Sequence, residues 1–120
     1  MGVLTDQIKE TLKEVKPALV ATSRAAGKPN VSAKGSLRVI DDDTVAFADV
    51  ASPRTIANLK ENGNISLIIL GNEENKGCRM WGTGTVENSG VIYDQFVSDF
   101  SARDMKVNNV VVIKVSEVEA

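Results

Sequence analysis

The chain has 120 residues, 42% of them hydrophobic and 25% charged, an ordinary balance for one soluble domain spanning residues 1–120. Sixteen acids against fourteen bases give a net charge of −2, which argues against non-specific nucleic-acid binding, since that needs a basic surface. The sequence holds no histidine and one cysteine, so histidine triads, most zinc sites, proximal-histidine haem and an intrachain disulfide are excluded.

No apolar run approaches the ~20 residues that cross a bilayer, and MGVLTDQIKE lacks the basic start and apolar stretch of a signal peptide. A cytoplasmic location, with no membrane partner, is expected. Leu4, Ile8, Leu12 and Val15 then mark one buried helix face, which Pro17 ends. ALVATS, residues 18 to 23, reads as a strand, and AAGKPN as a turn.

From Val31 to Val39 the chain alternates as one strand. Val31, Ala33, Leu37 and Val39 fall on one side, with Ser32, Lys34, Ser36 and Arg38 on the other. The polar side is either the outside of a barrel or the lining of a groove for a polar planar ligand. Gly35, between Lys34 and Ser36, lets a ligand or another backbone come close. Asp41 to Asp43 make an acidic turn, and TVAFADV returns as the partner strand.

ASPRTIANLKENGN, residues 51 to 64, is a helix with Ser52 as a cap, Pro53 in the first turn and Gly63 at the exit. Helix starts usually carry acids, because the dipole is positive there; this one offers Ser52, Arg54 and Thr55. Free backbone N–H groups, an arginine fork and two hydroxyls make an anion site. The plainer alternative is a capped helix with a solvated arginine. Arg54, Thr55 and Asn58 lie on one side, toward a ligand, while Ile56 and Leu59 lie on another, toward the core.

NISLIILG is an apolar strand, NEENKG a polar hairpin loop and CRMWGTGTVE a strand with two glycines, Gly82 and Gly84. Cys78, with no histidine to activate it, reads as a strand residue and not a nucleophile. Trp81 is either core or a stacking platform for a flat ligand. Ser89 and Gly90 open a last helix with Ile92, Phe96 and Phe100 as its buried stripe, and NVVVIKVSEV is the final strand. Six strands broken by short helices predict a mainly β fold, a small antiparallel barrel with helices around it.

GKPNVSAKGSLRVIDDDTVAFAD followed by ASPRTIANLKENGNISLIIL resembles the FMN-binding split-barrel family related to pyridoxamine 5'-phosphate oxidase, and within it the short FMN-binding members. The resemblance runs from about Gly27 to Gly84 and rests on the pairing of the VSxKG strand with the SPRTxxNL helix. It implies a homodimer of six-stranded split barrels with FMN at two sites along the interface. Lys34, Gly35 and Ser36 would lie along the flavin ring and ribityl chain. Ser52, Arg54 and Thr55 would hold the phosphate, and Asn58 would approach the ribityl or ring edge. Trp81 and Gly82 would sit near the cofactor, contributed by the other subunit. The resemblance thus implies a flavoprotein in redox chemistry, an electron carrier or small oxidoreductase with a partner protein or small-molecule acceptor. A deazaflavin-binding or flavin-free barrel is the alternative. True pyridoxamine phosphate oxidases use an Arg-x-His pair near the C-terminus; this chain ends in VVVIKVSEVEA, so that activity is not expected.

Overall fold

The computed structural model describes residues 2–72 and 76–119, so the tip of the NEENKG loop lies outside the described residues. The elements run α1 (Asp6–Glu14), β1 (Ala18–Ser23), β2 (Pro29–Lys34), β3 (Arg38–Val39), β4 (Thr44–Asp49), α2 (Pro53–Glu61), β5 (Asn64–Ile69), β6 (Cys78–Glu87), α3 (Val91–Ser101) and β7 (Asn109–Glu119). All strand pairs are antiparallel, in the order β2-β1-β5-β6-β7-β4-β3.

The mainly β fold is as the pattern predicts, but among the described residues the sheet has seven strands and not six. The expected single strand from Val31 to Val39 breaks at Gly35–Ser36. Its first half pairs with β1 and its second with β4, at opposite edges of the sheet. Laid flat, six inter-strand spacings would part those edges by ~29 Å. The chain from Lys34 to Arg38 spans at most ~14 Å. The sheet must therefore curl until its edges approach. That is a split barrel.

The inside of the curl holds the main core, with Leu12, Leu37, Val45, Phe47, Ile69, Met80 and Ile113 at 0 to 1% exposure. β4 is buried on both faces, because a second cluster covers its outer side. There Phe96 and Phe100 of α3 pack on Ala46, Ala48 and Val110, the two alanines leaving room for the rings. Thr5 caps α1 by accepting from Ile8 N–H at 3.2 Å. No helix among the described residues is long and apolar enough to cross a membrane.

Of the two alternatives for the polar side of β2, the outside of a barrel is ruled out: that side faces inward. Val31 is 65% exposed and Ala33 is exposed, whereas Lys34 is buried and Asn30 and Ser32 are half-buried. The cause is α2, which packs across this end of the curl with a polar flank, so β2 turns its polar side inward to meet it.

Candidate functional site

The site begins at the turn from β4 into α2. The Asp49 carboxylate, 4% exposed, accepts from Ser52 N–H at 2.8 Å and from the Asn109 amide at 2.9 Å. That buried acid fixes the turn. Ser52 is the N-cap residue, as the sequence suggests, but its hydroxyl does not cap the helix. It accepts instead from the Lys34 ammonium. Pro53 occupies the first turn, and the first intrahelical bond joins Ile56 N–H to the Ser52 carbonyl at 3.1 Å. The helix start therefore keeps backbone donors without a side-chain acceptor, with Arg54 exposed beside them.

Lys34 ends β2 and reaches this turn from below. It is 9% exposed, its ammonium lying 5.4 Å from the centre of the Phe47 ring. Burial pushes its pKa down from the ordinary lysine value, and the Asp49 charge partly opposes that. Gly35 follows, with nothing within 4 Å of where a Cβ would stand, so the backbone is open to an approaching ligand. The Ser36 hydroxyl accepts from Ala48 N–H at 2.9 Å, tying the strand break to β4. Lys34, Gly35, Ser36 and Ser52 thus line one cavity of about 540 Å³. That size suits a small molecule or cofactor.

Thr55 and Asn58 are placed differently from the expectation that they face a ligand beside Arg54. Both are buried, at 1% and 4% exposure, together with Ile56 and Leu59. The Thr55 hydroxyl meets Ser32 Oγ at 3.2 Å and the Asn30 amide at 3.3 Å, and the Asn58 amide donates to Thr22 Oγ1 at 3.0 Å. A helix seated across a curled sheet buries a wider arc than an apolar stripe marks, and β1 and β2 supply polar partners for it. Asn30 and Asp49 are two further residues of the site that no motif marks. Asn30 shares the polar side of β2 by its spacing of two from Ser32 and four from Lys34; Asp49 stands out only once Ser52 and Asn109 surround it.

Trp81 and Gly82 lie apart from these residues, at a bulge in β6, and line a second cavity of about 460 Å³ with Ser66 and Thr83. Trp81 belongs to neither core cluster; it is half-buried on the outer face of the sheet. At Gly82 a Cβ would run into the Lys114 carbonyl of β7, so close backbone approach demands this glycine. Cys78 is buried at the start of β6, and burial raises its pKa, the opposite of an activated thiol. Among the described residues no group of His, Cys, Asp and Glu is placed to hold a metal ion.

No curated protein matches the chain. Among solved structures, it is similar to the HupZ protein of Group A Streptococcus in a histidine-to-alanine variant, at 27% identity and TM-score 0.87, over 98% of each chain. A protein from Syntrophomonas wolfei described as FMN-binding is 21% identical with TM-score 0.75, over 92% of this chain and 85% of that one. HutZ of Vibrio cholerae, described as a heme storage protein, is 20% identical with TM-score 0.65, over 100% and 95%. Residues 4–120 match the family described as pyridoxamine 5'-phosphate oxidase. With the curled antiparallel sheet, the break at Gly35 and nearly the whole length accounted for, the chain belongs to the pyridoxamine 5'-phosphate oxidase family.

Proposed function

We propose that the protein is a homodimeric flavoprotein that binds FMN and serves redox chemistry, as an electron carrier or small oxidoreductase. The observation that carries this reading is the junction of the buried Lys34 with Ser52 at the uncapped start of α2, on a cavity bordered by the open backbone of Gly35. A phosphate there would meet the Arg54 fork, the Ser52 hydroxyl and the backbone N–H groups of Arg54 and Thr55. The flavin ring and ribityl chain would lie along Lys34, Gly35 and Ser36. Thr55 and Asn58 would support the helix from beneath, through Ser32 and Thr22. FMN, when bound, supplies one- and two-electron redox chemistry. The Lys34 ammonium at the ring edge would favour negative charge there and raise the reduction potential.

A second copy of the chain fits the outer face of the sheet. Val31, Ala21, Ser66 and Trp81 form one outward row across four strands, and Ala33, Leu19, Ile68 and Arg79 form the next. Val31 at 65% and Ile68 at 37% exposure leave this largely apolar face open in a single chain. Trp81 and Gly82 would reach a flavin only from such a partner. A haem-binding reading, suggested by HutZ, finds no histidine anywhere in the sequence.

The absorption spectrum of the purified protein tests for flavin, and bleaching by NADH or NADPH separates an enzyme from a carrier. Titration of FMN and riboflavin tests the phosphate site. A charge-assisted hydrogen bond contributes about 1.5–3 kcal/mol, so Arg54→Ala should raise the FMN dissociation constant by roughly 10- to 150-fold. Riboflavin, which lacks the phosphate, should change by less than about threefold. Equal losses for both flavins remove Arg54 from the phosphate site.

A further inference from the structure

The cavity beside Lys34 extends past the strand break to a second end that the flavin residues do not account for. Its wall there carries Lys16, Arg38 and Arg103, with Phe100 and Met105 as apolar neighbours. Together with Lys34, four cations line one cavity and, among the described residues, no Asp or Glu does, in a chain whose net charge is −2. Composition does not explain that concentration.

Nor do local ion pairs neutralise it. Among the described residues, of the four only Arg38 holds a carboxylate, that of Asp99 on α3 at 2.7 Å, while its guanidinium stacks over Phe96 at 3.8 Å. Arg103 lies over the Phe100 ring at 5.2 Å. Lys16 spends its ammonium on the Leu37 carbonyl. Partial burial and the neighbouring Arg38 charge both push its pKa down, so the fold holds Lys16 where its charge is penalised. Each cation is kept at the cavity by an aromatic ring or a backbone oxygen. An oxyanion would relieve the repulsion among them.

We propose that this end of the cavity binds the carboxylate of a small organic acid, through Lys16 and Arg103, with the acid's apolar body against Phe100 and Met105. The guanidinium fork suits a planar carboxylate, and the apolar surface beside it suits the rest of such a molecule better than it suits bare phosphate. This deepens the flavin reading, on which it rests for one point: the acid would be the second molecule brought to the flavin edge at Lys34. Binding itself does not depend on the flavin.

The test uses the full chain, stripped of flavin, in calorimetric titrations with benzoate and, separately, with inorganic phosphate. Wild type should bind benzoate saturably and more tightly than phosphate. The Lys16→Gln/Arg103→Gln double variant should lose at least about tenfold in benzoate affinity, while Arg24→Gln/Lys28→Gln, an equal charge loss on the exposed turn between β1 and β2, should change it by less than about twofold. All the substituted positions are exposed, so folding should survive, and an unchanged circular dichroism spectrum verifies this. Absence of benzoate binding by wild type, equal binding by the Lys16→Gln/Arg103→Gln variant, or tighter binding of phosphate than benzoate overturns the proposal. FMN and riboflavin titrations on the same variant give a further arm. Affinities within about threefold of wild type support a separate acid site, and a loss for FMN alone would place the flavin phosphate here and overturn it. If wild type bound no flavin, the flavin reading would fail while the benzoate titrations still decided the acid site.

Discussion

At the scale of single residues, two glycines that look alike in the sequence have opposite reasons to be there. Gly35 stands in open space, so Gly35→Ala should leave the flavin-free protein within about 0.5 kcal/mol of wild type and act on FMN affinity alone. Gly82 is pressed against the Lys114 carbonyl, so Gly82→Ala should destabilise the flavin-free protein by about 2 kcal/mol or more. Urea melts of both variants without ligand check the contrast. Lys34 sets function against stability in a single side chain. Removing its half-desolvated charge in Lys34→Met should stabilise the flavin-free protein by about 1 kcal/mol, even as FMN binding weakens. Because the folded-state pKa is lowered, the penalty is fully present below it and fades as pH rises from it toward 10.5. Thermal melts of wild type and Lys34→Met should therefore converge as pH climbs into the alkaline range.

At the scale of elements, α2 is the piece on which the site depends, and polar bonds as well as apolar contacts seat it. The Asn58–Thr22 bond, buried between helix and β1, is the central one. Asn58→Ala should cost about 2–3 kcal/mol, since it empties space and leaves the Thr22 hydroxyl unpaired. Thr22→Val should cost about 1–2 kcal/mol, and the double change should cost less than the sum by about 1 kcal/mol. A double-mutant cycle in urea measures that coupling, and strict additivity would show that the bond contributes nothing. Asp49 does for the start of the helix what Asn58 does for its middle. Its two accepted bonds hold Ser52 where Lys34 can reach it.

At the scale of the whole molecule, the exposed rows from Val31 to Trp81 determine whether the chain works alone. If a second copy covers them, sedimentation at micromolar concentration should give a dimer, and Val31→Glu should give a folded monomer with greatly weakened FMN affinity. A wild-type monomer that holds FMN tightly would remove the partner from the site, and Trp81 and Gly82 with it.

The local elements are legible in the sequence: β1 and β6 fall on ALVATS and CRMWGTGTVE, α2 begins at Pro53, and Phe96 and Phe100 are the buried stripe of α3. These follow from short-range periodicity and turn chemistry, which a linear pattern records. It also brought Lys34, Gly35, Ser36 and Ser52 forward as candidates, because a glycine within a polar strand face and an acid-free helix start are unusual in themselves. Which way β2 faces is set by long-range packing, since the inward side of a strand depends on what packs against it, and here a polar helix flank does. The same packing turns Thr55 and Asn58 into the fold, leaves Trp81 outside the core, and brings Lys16, Arg38 and Arg103 to one cavity. Those three come from just beyond α1, from β3 and from beyond α3, and nothing in their sequence spacing brings them together; the curl of the sheet does.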